Sequence, residues 1–125
     1  MSLSVDVFLV GADGRREVLD VPDGCDDSAG FESWRTRVWG SEAVRSVGAA
    51  FFPVLTDADV QVQPEQVPAL LRECALLSGN LGMIAASIDA GQTRTDYHDA
   101  VSDRLANVED AARRALAVGG GVLIW

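Results

Sequence analysis

The chain has 125 residues, 48% of them apolar and 23% charged, which fits one globular domain able to bury a core without disulfides or metal. It has no lysine, all ten basic residues being arginine, which excludes a Walker A loop, a kinase-type strand lysine and any Schiff base. Nineteen acids leave a net charge of −9 and a pI near 4.3, a balance that disfavours nucleic acid and anionic membranes and suits a basic protein partner, a cation or plain solubility.

From Leu3 to Val10 the residues alternate, with Leu3, Val5, Val7 and Leu9 on one face and Phe8 and Val10 on the other. This predicts a strand partly covered on both sides. Asp6 interrupts the apolar run and no basic stretch precedes it, so the segment does not read as a signal peptide. Gly11-Ala12-Asp13-Gly14 predicts a tight hairpin, and Arg15 to Val21 the returning strand.

Pro22 to Gly30 reads as a loop rich in turn formers. Residues 34–39 put Trp34, Thr36 and Val38 opposite Arg35, Arg37 and Trp39, which predicts a third strand. A helix with Phe31, Trp34 and Val38 on one side is the alternative. Ser41 can cap a helix whose stripe is Val44, Val47, Gly48, Phe51, Phe52 and Leu55, with Pro53 kinking or ending it. A short extended piece follows around Val60 to Val62.

Pro64 fits the first turn of a helix with Val67, Leu70, Leu71, Cys74 and Leu77 on its apolar face. Ser78-Gly79-Asn80 ends it, and Leu81, Ile84, Ala85 and Ile88 mark a shorter helix. The last helix runs from about Thr95 to Val118, with Tyr97, Val101, Leu105, Val108, Ala112 and Leu116 facing inward. Gly119 to Gly121 stop it, and Val122 to Trp125 close as a strand. The fold class that results is α+β, a single domain over residues 1–125. It is a small antiparallel sheet, the N-terminal hairpin plus the C-terminal strand, with three to four helices packed on one face.

No stretch reaches the roughly 18 consecutive apolar residues of a membrane span. Cys25 and Cys74 stand outside any zinc-type spacing and read as reduced thiols in a cytoplasmic protein. His98 is the single histidine, so no multi-histidine metal site is possible, and no nucleophile elbow accompanies it. The glycine clusters are not in a strand–loop–helix order that would cradle phosphate. No catalytic residue and no cofactor are expected.

Two acidic clusters are candidate sites. Asp20 to Glu32 holds five acids and no arginine, which reads as a solvated loop or as an acidic patch beside aromatic anchors. The candidate partner-binding residues are Asp23, Asp26, Asp27, Glu32, Trp34 and Trp39. Asp96, Asp99 and Asp103, at i, i+3 and i+7 beside His98, are an alternative cation site. First-turn acids complementing the helix dipole account for Asp96 and Asp99 but not for Asp103.

Met1 to Val10, Val67-Pro-Ala-Leu-Leu-Arg-Glu73 and Ala111 to Trp125, with its alanine-rich helix, Gly-x-Gly-Val and Trp, resemble small acidic uncharacterised bacterial proteins of actinobacterial type. Some acidic proteins of this size are immunity proteins of toxin loci. The resemblance spans about a third of the chain and brings no functional residue with it. The −9 charge, the lack of a catalytic constellation and the acids beside Trp34 and Trp39 point to a non-enzymatic module binding a basic protein partner, most concretely an immunity or antidote protein. The alternatives are a small enzyme or cation-dependent binder at His98, Asp99 and Asp103, and an accessory subunit self-associating through Phe51 and Phe52. The sequence leaves the oligomeric state open.

Overall fold

A computed structural model describes residues 2–88 and 94–125, and the side chains of 2–88 and 97–125. The chain forms an antiparallel five-stranded sheet with four α-helices, as the α+β reading requires. Strand β1 (Ser2–Val10) is central. It pairs on one side with β5 (Gly121–Ile124), which in turn pairs with β4 (Val60–Val62). On its other side β1 takes β2 (Arg16–Val18) at one end and β3 (Ser28–Phe31) at the other. Its amides follow suit: Ser4 N–H donates to the Trp125 carbonyl, Val5 N–H to that of Asp27.

The hairpin closes as its residues dictate. Gly14 takes φ +81° and donates to the Gly11 carbonyl at 2.9 Å, while the Asp13 carboxylate accepts from Arg15 N–H. Only the glycine needs the left-handed conformation. Leu3, Val5 and Val7 then face the helices with Val60, Val62, Val122 and Ile124, all buried.

Helices α2 (Val67–Ser78), α3 (Leu81–Ile88) and α4 (Arg94–Val118) follow the predicted stripes. Pro64 opens a 3-10 turn, Pro64–Gln66, that leads into α2, and Gly119 at φ +68° ends α4. Val101, Leu105, Val108, Ala111, Ala112 and Ala115 are the buried face of α4. The small alanines let α4 lie close on both α2 and β1. Leu116, expected inside, is 52% exposed, because the inward stripe shifts to Ala115 in the last turn.

Three expectations are corrected. The expected loop ends in a strand: Ser28–Phe31 is β3, aligned by β1 despite its weak strand propensity. Residues 34–39 are not a strand but a π-helical turn, Arg35–Trp39. Its i to i+5 spacing brings Trp34 and Trp39 to the same inward side.

The single helix expected from Ser41 to Leu55 is broken. Ser41 caps α1 (Glu42–Ser46) as expected, but Gly48 at φ +96° stops it. Pro53 then begins a 3-10 turn, Phe52–Thr56, instead of ending a helix. The amides bared by that break are taken by Glu73 of α2, a side chain only 7% exposed. Its Oε1 accepts from Ala50 N–H at 2.6 Å and its Oε2 from Phe52 N–H at 2.9 Å, with Phe51 N–H shared between them.

Candidate binding site

The loop between β2 and β3 is built from turns and lies on α4. Pro22-Asp23-Gly24-Cys25 is a β-turn in which Cys25 N–H donates to the Pro22 carbonyl at 3.1 Å and Gly24 takes φ +84°. Asp26 accepts from Ser28 N–H at 2.9 Å, a local Asx bond that aims the chain into β3. One hydrogen bond fastens the loop to the helix, from Asn107 to the Ser28 carbonyl at 2.9 Å, and the Cys25 thiol lies near Asp110. Partial burial first, then Asp110, holds that thiol above its ordinary range.

This fastening merges the two acidic clusters. Asp26 from the loop and Asp103 from the helix line one shallow depression of about 360 Å³ with Arg104, Ala106 and Asn107. Asp23, Asp26 and Asp103 are exposed and have no ion-pair partner among the described residues. Their neighbours Glu109 and Asp110 are instead neutralised by Arg113 and Arg114 one helical turn away. Beyond the loop lies an apolar depression of about 230 Å³, lined by Val7, Leu19, Asp20, Pro22, Ala117 and Val118 beside Arg114. The helix thus presents an acidic stretch and an apolar stretch, with the loop between them.

The other candidate residues sit elsewhere. Trp34 and Trp39 are 6% and 1% exposed, which corrects their expected role as surface anchors. They form an aromatic chain with Phe31 and Phe52, and Trp39 donates its Nε1–H to the buried Ala29 carbonyl at 2.9 Å. Arg104 lies over both Phe31 and Trp34, which holds its guanidinium at the rim of the acidic depression.

Glu32 is bound to Arg35 at 2.6 Å, and Arg35 also holds Asp59 at 2.7 Å and the Leu55 and Ala58 carbonyls. The bond to Asp59 first, with Glu32 adding to it, keeps Arg35 above the usual guanidinium range. Asp27 is half-buried and serves the sheet through its carbonyl. Phe52 is buried and Phe51 half-buried, so the pair forms no exposed apolar surface.

For the cation alternative, His98 Nδ1 lies 3.5 Å from Asp99, and the Asp96 side chain lies outside the described residues. Among the described residues, no three His, Cys, Asp or Glu side chains converge to hold a metal ion, and no single helix is long and apolar enough to cross a membrane.

Sequence reasoning missed the part played by Leu19, Pro22 and Val118; Leu19 and Pro22 are apolar residues in an acidic stretch, and Val118 sits just before the glycine stop of the last helix. Comparison with protein-family models, curated proteins and solved structures finds no match to this chain.

Proposed function

We propose that the protein is a non-enzymatic binding module for a basic protein partner, an immunity or antidote protein in its most concrete form, acting in the cytoplasm by occlusion. The carrying observation is that Asp26 of the loop and Asp103 of α4 line one depression without an ion pair among the described residues, the Arg104 that shares it being held over Phe31 and Trp34. Carboxylates left unpaired on one face steer a cationic surface toward it and accept its arginine or lysine side chains on contact. Val118, Leu19 and Pro22, on the far side of the loop, supply apolar area of the kind that anchors a complex once water is excluded. In this reading they replace the tryptophans, which are spent on the core.

The test places a photo-crosslinking residue at Asp23 and, as a control, at the exposed Glu65 before α2, in lysate of the native host. A basic protein should be captured from Asp23 alone. Capture should vanish at about 1 M salt, where the Debye length is ~3 Å. The triple variant Asp23→Asn, Asp26→Asn, Asp103→Asn should slow association with the captured protein at least tenfold. Equal capture from both positions, or an unchanged association rate, refutes the reading.

A further inference from the structure

All the helices pack against one face of the sheet, and the opposite face carries a second, chemically different surface. Phe8, Val18 and Leu123 stand there with Trp125, which is 47% exposed, around an open depression of about 540 Å³. Its floor is the Phe8 ring, which lies across Gly121, where any side chain would collide with it. The Arg16 guanidinium covers that ring at 5.8 Å and donates to Gln61 at 2.5 Å. Trp125 is fixed upright by donating its Nε1–H to Asp6 at 2.8 Å. The strand was expected to be partly covered on both sides, but on this side the cover is side chains alone.

Charge on this face is balanced, unlike the rest of the molecule. Arg15, Arg16 and Arg35 stand with Asp6, Glu32 and Asp59 around the depression and the one that adjoins it, whereas the whole chain holds ten arginines against nineteen acids. The balance is also polar. Arg15 occupies the corner where the hairpin turns, beside β2 at one edge of the sheet, while the Arg16 guanidinium reaches from that edge across the Phe8 ring to Gln61. Asp59 occupies the diagonally opposite corner, at the start of β4 on the other edge. Arg15 is almost fully exposed although Asp13 lies 3.6 Å from it, and the Asp59 carboxylate is half exposed although it holds Arg35.

We propose that this face binds a second copy of the chain, forming a two-fold symmetric dimer. A two-fold axis lying between the faces, across that diagonal, sets Arg15 of each copy on Asp59 of the other. Val18 of one copy then faces Trp125 of the other, with Leu123 between them near the axis. Isologous contacts demand such self-complementarity: whatever residue i offers, residue j must accept, in both directions. A partner of strongly basic or acidic character has no preferred seat on a face that holds both signs. The acid excess of the monomer lies away from this face, so its self-repulsion is not concentrated at the contact. This inference stands apart from the binding reading above, which uses the loop and α4 on the helical side.

Sedimentation equilibrium of the full chain tests it. At moderate salt the mass should reach twice the 13.3 kDa of one chain. A monomer at every concentration up to about 1 mM overturns the proposal. Arg15→Glu and Asp59→Arg should each weaken the dimer tenfold or more, because each places like charges at both ends of the contact. Mixed in equal amounts, the two variants should dimerise with each other about as well as the parent chain, since each carries the charge its mate needs. Failure of the mixture to recover, with both variants folded by circular dichroism, overturns the proposed geometry. Val18→Arg, at an exposed position that faces Trp125 of the other copy, should abolish the dimer, and an unaffected dimer would mean that another face is used.

Discussion

Glu73 is the residue whose removal should harm the fold most for its size. Its carboxylate accepts the amides of Ala50, Phe51 and Phe52 at 2.6–3.1 Å, and no other group stands in for it at the break between α1 and the turn at Pro53. The three amides differ in what they lose. Ala50 is exposed and Phe51 half-buried, so water can replace the carboxylate there, at a cost of about 0.5–1 kcal/mol each. Phe52 is fully buried, so its amide keeps the whole desolvation penalty of an unmet donor, about 1–3 kcal/mol.

Removing the buried charge returns part of this, and Glu73→Ala should cost about 3 kcal/mol in total. For a chain of this size that is a fall of roughly 10–15 °C in Tm. Glu73→Gln separates shape from chemistry. It fills the same space, but its amide nitrogen presents donors where acceptors are needed, so about 2 kcal/mol should go even without a cavity. Urea midpoints at unchanged m-value measure both losses, and hydrogen exchange at the Phe52 amide should quicken in both variants. A Glu73→Gln loss below about 0.5 kcal/mol, with Phe52 still protected, would refute the reasoning.

Three further outcomes follow from neighbouring parts of the core. Gly30 has φ +109° and packs against the Trp34 ring, so Gly30→Ala should cost about 3 kcal/mol or more by combined strain and overlap, seen in urea unfolding. Trp39→Phe leaves the Ala29 carbonyl unpaired in the core, and should cost about 2–3 kcal/mol by the same assay, with the near-ultraviolet dichroism of the aromatic chain reduced. Burial first, and then the charges of Glu109 and Glu73, push the Cys74 thiol up to about 12 from 9.0. Between those values the unfolded chain releases a proton that the folded chain keeps. Stability is therefore untouched by this group below pH 9.0 and falls above it by about 1.4 kcal/mol per pH unit. Cys74→Ala should remove that slope while lowering the plateau, and a thiol reagent should label Cys25 but not Cys74 in the native chain.

What could be read from the sequence was local. The Asp13-Gly14 turn, the Ser41 cap, the stripe of α2 and the Gly119 stop each draw on residues within a few positions of one another, and each was legible. What failed depends on partners far away. Ser28–Phe31 has little strand propensity and becomes a strand because β1 offers an open edge. The apolar stripe from Val44 to Leu55 is inward-facing at Val44, Phe52 and Leu55, so its period was right, yet it is not one helix. Gly48 lets the chain turn, and Glu73, more than twenty residues on, makes the turn cheap by meeting its amides. Trp34 and Trp39 read as surface anchors because they follow the acidic run; a strand would send them to opposite faces, whereas helical winding with a five-residue spacing sends both inward.

The candidate site has the same character. Neither acidic cluster is more than a solvated stretch when taken alone, and the helix dipole already explains acids in the first turn of α4. Asp103 was the one acid that local electrostatics left over. The structure places it beside Asp26, 77 positions earlier in the chain, through the Asn107 bond to Ser28. Two unpaired carboxylates brought together on a shared face repel each other, if only by a few tenths of a kcal/mol at an exposed site. Asp103→Asn should leave the fold as stable or slightly more so, whereas a carboxylate kept for stability would lose its contribution on becoming an amide. That difference in sign separates a binding role for Asp103 from a structural one before any partner is in hand, while Asp26 also accepts from Ser28 N–H.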